Sequence, residues 1–469
     1  MDRRDGRTDA GQSSKDVAAA HYQAGLRHQQ AGRFLDAQLC CKQALEADPN
    51  HLDSLHLMGL LALQARQFDH AIEWIARANE QDPNTDYLYS VGVALEQQGL
   101  HAEAFRAFDR AVQIKRDDVE IWLSHGKALE NLGRPAEALS SYRQVLRLDP
   151  RHAEAELNMA MLQLLTGDFE QGWPSREARR RTAIWAAAYP KFTQPMWQGC
   201  ESVEGKTILV YEDEGYGDAI QFARYVPLLA ARGARVILVV GDALVPLLSQ
   251  LSGVSQCLPK SATALPAFDM HCPACSLPLA FGTRLDTIPL LPSYLAAPSE
   301  RARAWEQALL TDLGPRDRLR VGLAWSGRPT HLNDHRRSIP LHAFSPLLGA
   351  NAMFISLQKD VRPDDKAQLA KGRLIDVAEH LVNFAETAAL MSCLDLVITV
   401  DTSVAHLAGA LGRPTWLLLP FTPDWRWLLE RDDSPWYPSL RLFRQSEARD
   451  WAEVLDSVQR ALAARITAS

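Results

Sequence analysis

The sequence predicts two fold classes in one chain: an all-α solenoid of helical repeats in the first third, then an α/β region built from two parallel-sheet halves. Three observations predict it. Glycines and alanines recur at one interval up to about residue 151; the hydrophobic period switches at Lys206 to strands alternating with helices; and that alternation restarts after a polar helical stretch near residue 300.

In the repeats, Gly25, Gly59, Gly92 and Gly126 are spaced by 34, 33 and 34 residues, and Ala37, Ala71, Ala104 and Ala138 repeat those intervals. Ala44, Ala78 and Ala111 follow seven residues later, and Pro49, Pro83 and Pro150 close three units. Small residues at fixed positions let paired antiparallel helices approach closely, Gly32, Gly99 and Gly133 suit the turns between them, and a proline stops the second helix. Arg66 stands where its sisters have glycine, and Arg116 stands in place of a closing proline. The pattern resembles the tetratricopeptide repeat. Four full repeats and a partial fifth, AEAELNMAMLQLLTGDFEQGW, span residues 18–171, behind a tail at 1–17 expected to be disordered. Stacked helix pairs make an extended concave surface, so the repeats are expected to bind a polypeptide acceptor or partner; a plain helical spacer is the alternative.

With 469 residues the chain has room for about three compact units. Its net charge of −7 provides no basic field for nucleic acid or anionic lipid. No apolar run is long enough for a membrane span, and the first sixteen residues hold no signal-peptide core. Seven cysteines, an odd number scattered along the chain, fit reduced thiols, and the expected location is cytoplasmic. His271, Cys272 and Cys275 form HCPAC, but without a second pair at zinc-finger spacing they read as small buried residues beside a strand.

Residues 172–205, a basic run followed by an aromatic- and proline-bearing stretch, are expected to link the repeats to the next domain. TILVY, the glycine-bearing turn EDEGYGD, the helical AIQFARYVPLLAARG and the strand ARVILVV then form a βαβ unit. DALVPLLSQL and AFDMHC continue this first Rossmann-like half over residues 206–298, and SERARAWEQALLTDLGPRD connects the halves at 299–318. The second half, 319–469, runs through RLRVGLAW, AMFISLQ, RLIDVA, LDLVITV and PTWLLLP to a final helix, DWAEVLDSVQRALAARI, expected to close the domain by crossing back to the first half. Ligands of such sheets bind beyond the carboxyl ends of the strands.

Three loops there carry candidate chemistry. After the first strand, Gly215 and Gly217 permit close backbone approach to a ligand and Asp218 opens a helix, where a plain cap is the alternative. After LVITV, Asp401, Thr402 and Ser403 open another helix, whose free N–H groups suit a phosphate; Thr402 and His406, four apart, share a face. After RVGLA, Trp325, Ser326 and Gly327 lead to Arg336 and Arg337, adjacent arginines suited to a diphosphate, with Gln358 and Lys359 beside them at the end of the next strand. Glu212, Asp213 and Glu214 offer ligands for Mg²⁺, but the expectation is no metal. Trp425, Trp427 and Trp436 are expected to be core rather than a sugar platform.

From about residue 205 onward these motifs resemble the lipopolysaccharide heptosyltransferase type of glycosyltransferase. The match rests on Gly217-Asp218, on Trp325-Ser326-Gly327, and on Asp401-Thr402 with His406-Leu407 and Ala410-Leu411. With repeats in front, the chain is similar to bacterial tetratricopeptide glycosyltransferases and, more distantly, to protein O-linked N-acetylglucosamine transferases. The resemblance implies a GT-B region of two Rossmann-like domains, a nucleotide-sugar donor, no cofactor, and metal-independent transfer with inversion. It assigns the base to Asp218, donor contacts to Arg337 in RSIP, and the sugar and diphosphate to the Asp401-Thr402-Ser403 turn. Ser403 stands where that family has glycine, so sugar and acceptor specificity do not transfer. Two other readings stay open: a repeat scaffold that binds a nucleotide without turnover, and a lipid or glycan heptosyltransferase whose repeats only add assembly contacts.

Overall fold

The computed structural model describes residues 6–82 and 85–468, which fall into two compact units, Met1–Met159 and Ala160–Ser469. Pro83 and residues 1–5 lie outside the described residues.

The first unit is all helical: α1 (Gly6–Gln30), α2 (Phe34–Ala47), α3 (Leu52–Gln64), α4 (Phe68–Gln81), α5 (Thr85–Gln97), α6 (His101–Ile114), α7 (Val119–Asn131), α8 (Pro135–Leu148) and the start of α9 (Ala153–Leu165). Helix α1 begins at Gly6, within the stretch expected to be disordered; the three alanines at 18–20 and the absence of proline favour helix in the run that follows. Successive helices pair, α1 with α2, α3 with α4, α5 with α6 and α7 with α8. The recurring alanines 37, 71, 104 and 138 are fully buried, as are Ala44, Ala78, Ala111 and, in the fourth repeat, Val145. Each recurring glycine faces the residue sixteen positions on. A Cβ would lie 2.2 Å from Ile75 at Gly59, 2.4 Å from Phe108 at Gly92 and 2.6 Å from Tyr142 at Gly126. Gly32, Gly99 and Gly133 take positive φ at the helix ends, and Arg66 adopts the same conformation at φ 58°.

The second unit holds two all-parallel sheets. One, ordered β3-β2-β1-β4, comprises β1 (Thr207–Tyr211), β2 (Arg235–Val240), β3 (Val254–Pro259) and β4 (Met270–Pro273). The other, ordered β6-β5-β7-β8-β9, comprises β5 (Arg320–Ala324), β6 (Met353–Ser356), β7 (Leu396–Val400), β8 (Thr415–Leu419) and β9 (Leu440–Arg444). The strand order reverses at β1/β4 and at β5/β7. The loops after β1, β5 and β7, which carry the three candidate motifs, therefore leave the sheets at the two places where crevices form. One hydrophobic core, including Val210, Phe222, Leu390, Val397, Leu417 and Trp436, joins the two sheets.

Three expectations are corrected. The segment 172–205, expected as a linker, packs as part of the second unit. Helix α10 (Phe169–Arg176) buries Trp173, whose Nε1 donates to the Thr283 carbonyl at 2.8 Å, and Met196 bridges His271 beside β4. Its aromatics and arginines have burial to gain there, which a solvent-exposed linker would forgo. RLIDVA forms no strand and contributes only a bridge from Ile375 to Ile355. The final helix, Trp451–Thr467, stays on the second half: Val454, Leu455, Val458 and Leu462 pack in a core whose residues all come from 319–466. No described helix is long and apolar enough to cross a membrane.

Candidate functional site

The loop after β1 is saturated with charge pairs. Glu212 accepts from Lys260 Nζ at 3.0 Å and from the Gly241 N–H at 2.8 Å. Asp213 accepts from Arg179, Tyr189 and the Cys275 N–H, and both Glu214 oxygens accept from Arg176 Nη2 at 2.8 Å. Asp213, Glu214 and the Cys275 thiol have ligand atoms within 4.8 Å of one another, but Arg176 and Arg179 already meet the carboxylate charge. Cys272 and Cys275 are buried, and burial pushes both thiols well up.

Gly215 precedes the helix Tyr216–Phe222, and its N–H donates to Asp218 Oδ2 at 3.0 Å. The other Asp218 oxygen accepts from Arg426 Nη2. Burial pushes the Asp218 carboxyl up, but Arg426, then Arg176, and the Gly215 N–H outweigh it and hold the group below the usual carboxylate range. Gly217, expected to admit a ligand, instead admits His406: a Cβ there would lie 2.7 Å from His406 Cδ2. His406 does not face an anion with Thr402. It is buried, stacks on Trp427 with centroids 5.5 Å apart, and shares a 2.9 Å hydrogen bond with the Tyr437 hydroxyl. Burial and then Arg426 push it down to about 3, so the ring is neutral.

In the second half, Gln358 Oε1 accepts from the Trp325 and Ser326 N–H groups at 3.2 and 3.1 Å, stitching the end of β5 to the end of β6. Trp325 is fully buried, its indole donating to Asp365 at 2.8 Å, so it is core rather than a donor contact. Gly327 is pressed against Arg337 and Asp334, and Arg337 Nη1 donates to the Asp401 carbonyl at 2.7 Å. This contact brings the second and third motifs together. The arginine pair is split: Arg336 turns to its neighbour His335 and stays out of the cluster, as does exposed Lys359, which donates to the Ala378 carbonyl. Thr402 caps the helix Ser403–Ala410, accepting from the Val404 N–H at 3.3 Å. Burial and Asp424 push the Asp401 carboxyl up to about 6 against the pull of Arg337, the Trp427 indole and Arg426. Ser326 Oγ and Arg337 Nε are among the buried donors here that have no hydrogen-bond partner among the described residues.

Sequence reasoning missed Arg426, Arg176 and Arg179. Arg426 was hidden between Trp425 and Trp427, and the two arginines at 176 and 179 in the segment taken for a linker; a lone charge among residues expected to be core was the available signal. The tryptophans themselves are core: Trp425, Trp427 and Trp436 are at most 2% exposed.

Family models match three segments: anaphase-promoting complex, cyclosome, subunit 3 over residues 30–111; tetratricopeptide repeat over 131–172; and glycosyltransferase family 9 (heptosyltransferase) over 362–441. The last match contains β7, the Asp401 turn, β8 and Arg426, but neither Asp218 nor Arg337. Among curated proteins, the chain is 23% identical to Protein FlbA of Caulobacter vibrioides over 93% of this chain and 83% of that protein. It is 26% identical to Tetratricopeptide repeat protein 16 of Mus musculus over 30% of this chain and 20% of that one. Among solved structures, YrrB, described as a TPR protein with an unusual peptide-binding site, matches at 22% identity and TM-score 0.34, covering 38% of this chain and 92% of its own. MamA matches at 19% identity and TM-score 0.33, covering 35% and 97%. The chain thus combines tetratricopeptide repeats with a glycosyltransferase-like α/β region.

Proposed function

We propose that the chain is a glycosyltransferase of GT-B type that moves a sugar from a nucleotide-sugar donor to an acceptor hydroxyl, with inversion and without a metal, and that its repeats select a protein acceptor. The observation that carries this reading is the pair of unpartnered donors, Ser326 Oγ and Arg337 Nε, beside the Asp401 turn at the β5/β7 switch point. Burying donors without partners costs about 1–3 kcal/mol each, a cost an anionic ligand relieves on binding. The family-9 similarity of 362–441 supports the same place.

In this mechanism Asp218 takes the proton of the acceptor hydroxyl while that oxygen attacks the anomeric carbon. The bond from that carbon to the phosphate oxygen breaks on the opposite side, and its electrons leave with the nucleoside diphosphate. Arg337 and the N–H groups at the start of the Ser403–Ala410 helix receive the charge that develops there. Gly215, Ser326 and Thr402 line the approach; Gln358 holds the β5 exit in shape.

A second reading, a nucleotide-binding scaffold without turnover, is favoured by the ion pair that already occupies Asp218. A thermal-shift screen of nucleotide sugars separates the outcomes, because a binder at 100 times its Kd adds about 2.7 kcal/mol. A stabilising donor that is then hydrolysed supports the transferase, and one that stays intact supports the scaffold. Radiolabelled sugar recovered on protein supports the acceptor assigned here, whereas recovery on lipid-linked glycan moves the protein to the heptosyltransferase alternative.

A further inference from the structure

Arg426 carries a full charge at 7% exposure, and a charge so far from water must be paired. Its partners come from two places. Asp424, in the same turn, accepts from Nη1 at 2.9 Å, while Gln221 and Asp218 accept from Nε and Nη2 and both lie on the Tyr216–Phe222 helix of the first half. The Trp425 ring centroid lies 4.3 Å from the guanidinium carbon, close enough for a cation–π contact. Beside it, Gly217 and His406 are in contact, so the two halves meet at this point without space for a side chain between them.

We propose that Arg426 is a positioning residue for Asp218: reaching from the second half, it holds one carboxylate oxygen while the Gly215 N–H holds the other, and so fixes the aim of the base across the boundary between the halves. This rests on the reading of Asp218 as the base. The fork geometry of arginine suits the task, since one guanidinium engages Asp218, Gln221 and Asp424 at once. The contact also keeps Asp218 ionised. The charged and titratable groups facing it are Arg426, Arg176 and His406, with Glu214, Cys275 and His331 on the remaining sides. Burial pushes the Asp218 carboxyl up, and Arg426 is the largest influence in the other direction.

The test uses the full chain and the nucleotide sugar that gives the largest thermal shift, with hydrolysis or transfer followed as kcat/KM against pH. The base works in its ionised form, so Arg426→Gln raises the Asp218 pKa and moves the acidic limb up by about one pH unit or more. Arg426→Lys keeps the charge and restores part of the limb. Asp424→Asn frees Arg426 of a competing carboxylate and moves the limb down, a result available even if Arg426→Gln does not fold. Chemical unfolding of Asp218→Asn, Arg426→Gln and the double variant reads the contact without turnover: coupled losses are expected, and additive losses overturn the proposal. Turnover with an acidic limb that none of the Arg426 and Asp424 variants moves overturns the proposal and leaves the transferase standing. A parent chain that turns over no nucleotide sugar, with the coupling intact, overturns the transferase reading and the positioning role with it.

Discussion

The repeats and the α/β unit use the same device, a glycine that lets two helices touch, at different distances along the chain. In the repeats the glycine and its partner are sixteen residues apart, and the pairing recurs: Gly59 with Ile75, Gly92 with Phe108, Gly126 with Tyr142. In the α/β unit, Gly217 meets His406, and Asp218 beside it meets Arg426 at a separation of 208 residues. The repeat contacts are local and duplicated, so each helix pair is set by its own sequence and its neighbours. The α/β contacts are each made once, and they depend on both sheets having formed. The comparison teaches that a glycine beside a catalytic-type aspartate is not by itself a mark of ligand approach; at Gly217 it marks a closed contact between helices.

The largest effect is expected where the non-local contact meets chemistry. Asp218→Asn keeps the shape of the side chain and removes the base, so turnover is expected to fall about 10²- to 10⁴-fold while nucleoside diphosphate binding holds. Single-turnover kinetics with calorimetry on the same samples checks it. Unchanged turnover would make the Asp218 contact purely architectural and would shift the search for the base to Glu214, His271 or His331.

Next comes the repeat side of the comparison. Gly92→Val drives a branched side chain into Phe108, where even a Cβ would lie at 2.4 Å, and is expected to destabilise by about 3 kcal/mol. Gly25→Ala meets Cys41 at 3.2 Å and is expected to cost far less. Chemical unfolding followed by far-UV circular dichroism ranks the two. Equal costs would mean that the sixteen-residue pairing does not control helix approach.

The same difference in range explains what could be read in advance. A fixed interval exposes the repeats because every unit repeats its contact set, and Ala37, Ala71, Ala104 and Ala138 are all buried as their spacing requires. Strands β1, β2, β4, β5, β6, β7 and β8 were legible as apolar runs. Strand β3 was not, because Ser255 and Gln256 interrupt it at exposed positions, nor was β9, whose apolar residues are broken up by Arg441 and Arg444. At the site, the loops after β1, β5 and β7 were legible as strand exits, and Arg337 reaches the Asp401 turn as their proximity requires. Arg336 and Lys359 were grouped with them by sequence adjacency, which says nothing about direction. The partners of Asp218 were illegible because no local pattern encodes a contact across 208 residues.

A smaller effect tests the second half alone. Arg337→Ala removes a cation beside the Asp401 turn together with its unpartnered Nε, so binding of a nucleoside diphosphate is expected to weaken by about 1.5–3 kcal/mol. That corresponds to roughly ten- to a hundred-fold in Kd. The bare nucleoside has no diphosphate to lose and is expected to bind as before. Calorimetry on both ligands decides: equal weakening would report a folding defect passed through the Asp401 carbonyl, and no weakening would remove Arg337 from the donor site.

The smallest effect returns to the repeats and to the turn where an arginine replaces the glycine of its sisters. Helix α3 ends with Gln67 N–H donating to the Ala62 carbonyl at 2.8 Å, the same six-residue closure that Arg33 makes to His28 at 2.9 Å after Gly32 and Leu100 makes to Leu95 at 2.9 Å after Gly99. The closure needs a left-handed residue just past the helix, and Arg66 supplies it at φ 58°, where its Cβ crowds the following carbonyl. Its side chain is exposed, so nothing packed is lost when it is removed. Glycine relieves the crowding but also enlarges the freedom of the unfolded chain, and the two effects partly cancel. Arg66→Gly is therefore expected to stabilise the repeats by about 0.5–1 kcal/mol, read as a higher denaturant midpoint at unchanged slope. A lower midpoint would show that the arginine is held there by an interaction worth more than the backbone strain, and that this repeat differs from its sisters by design of its side chain.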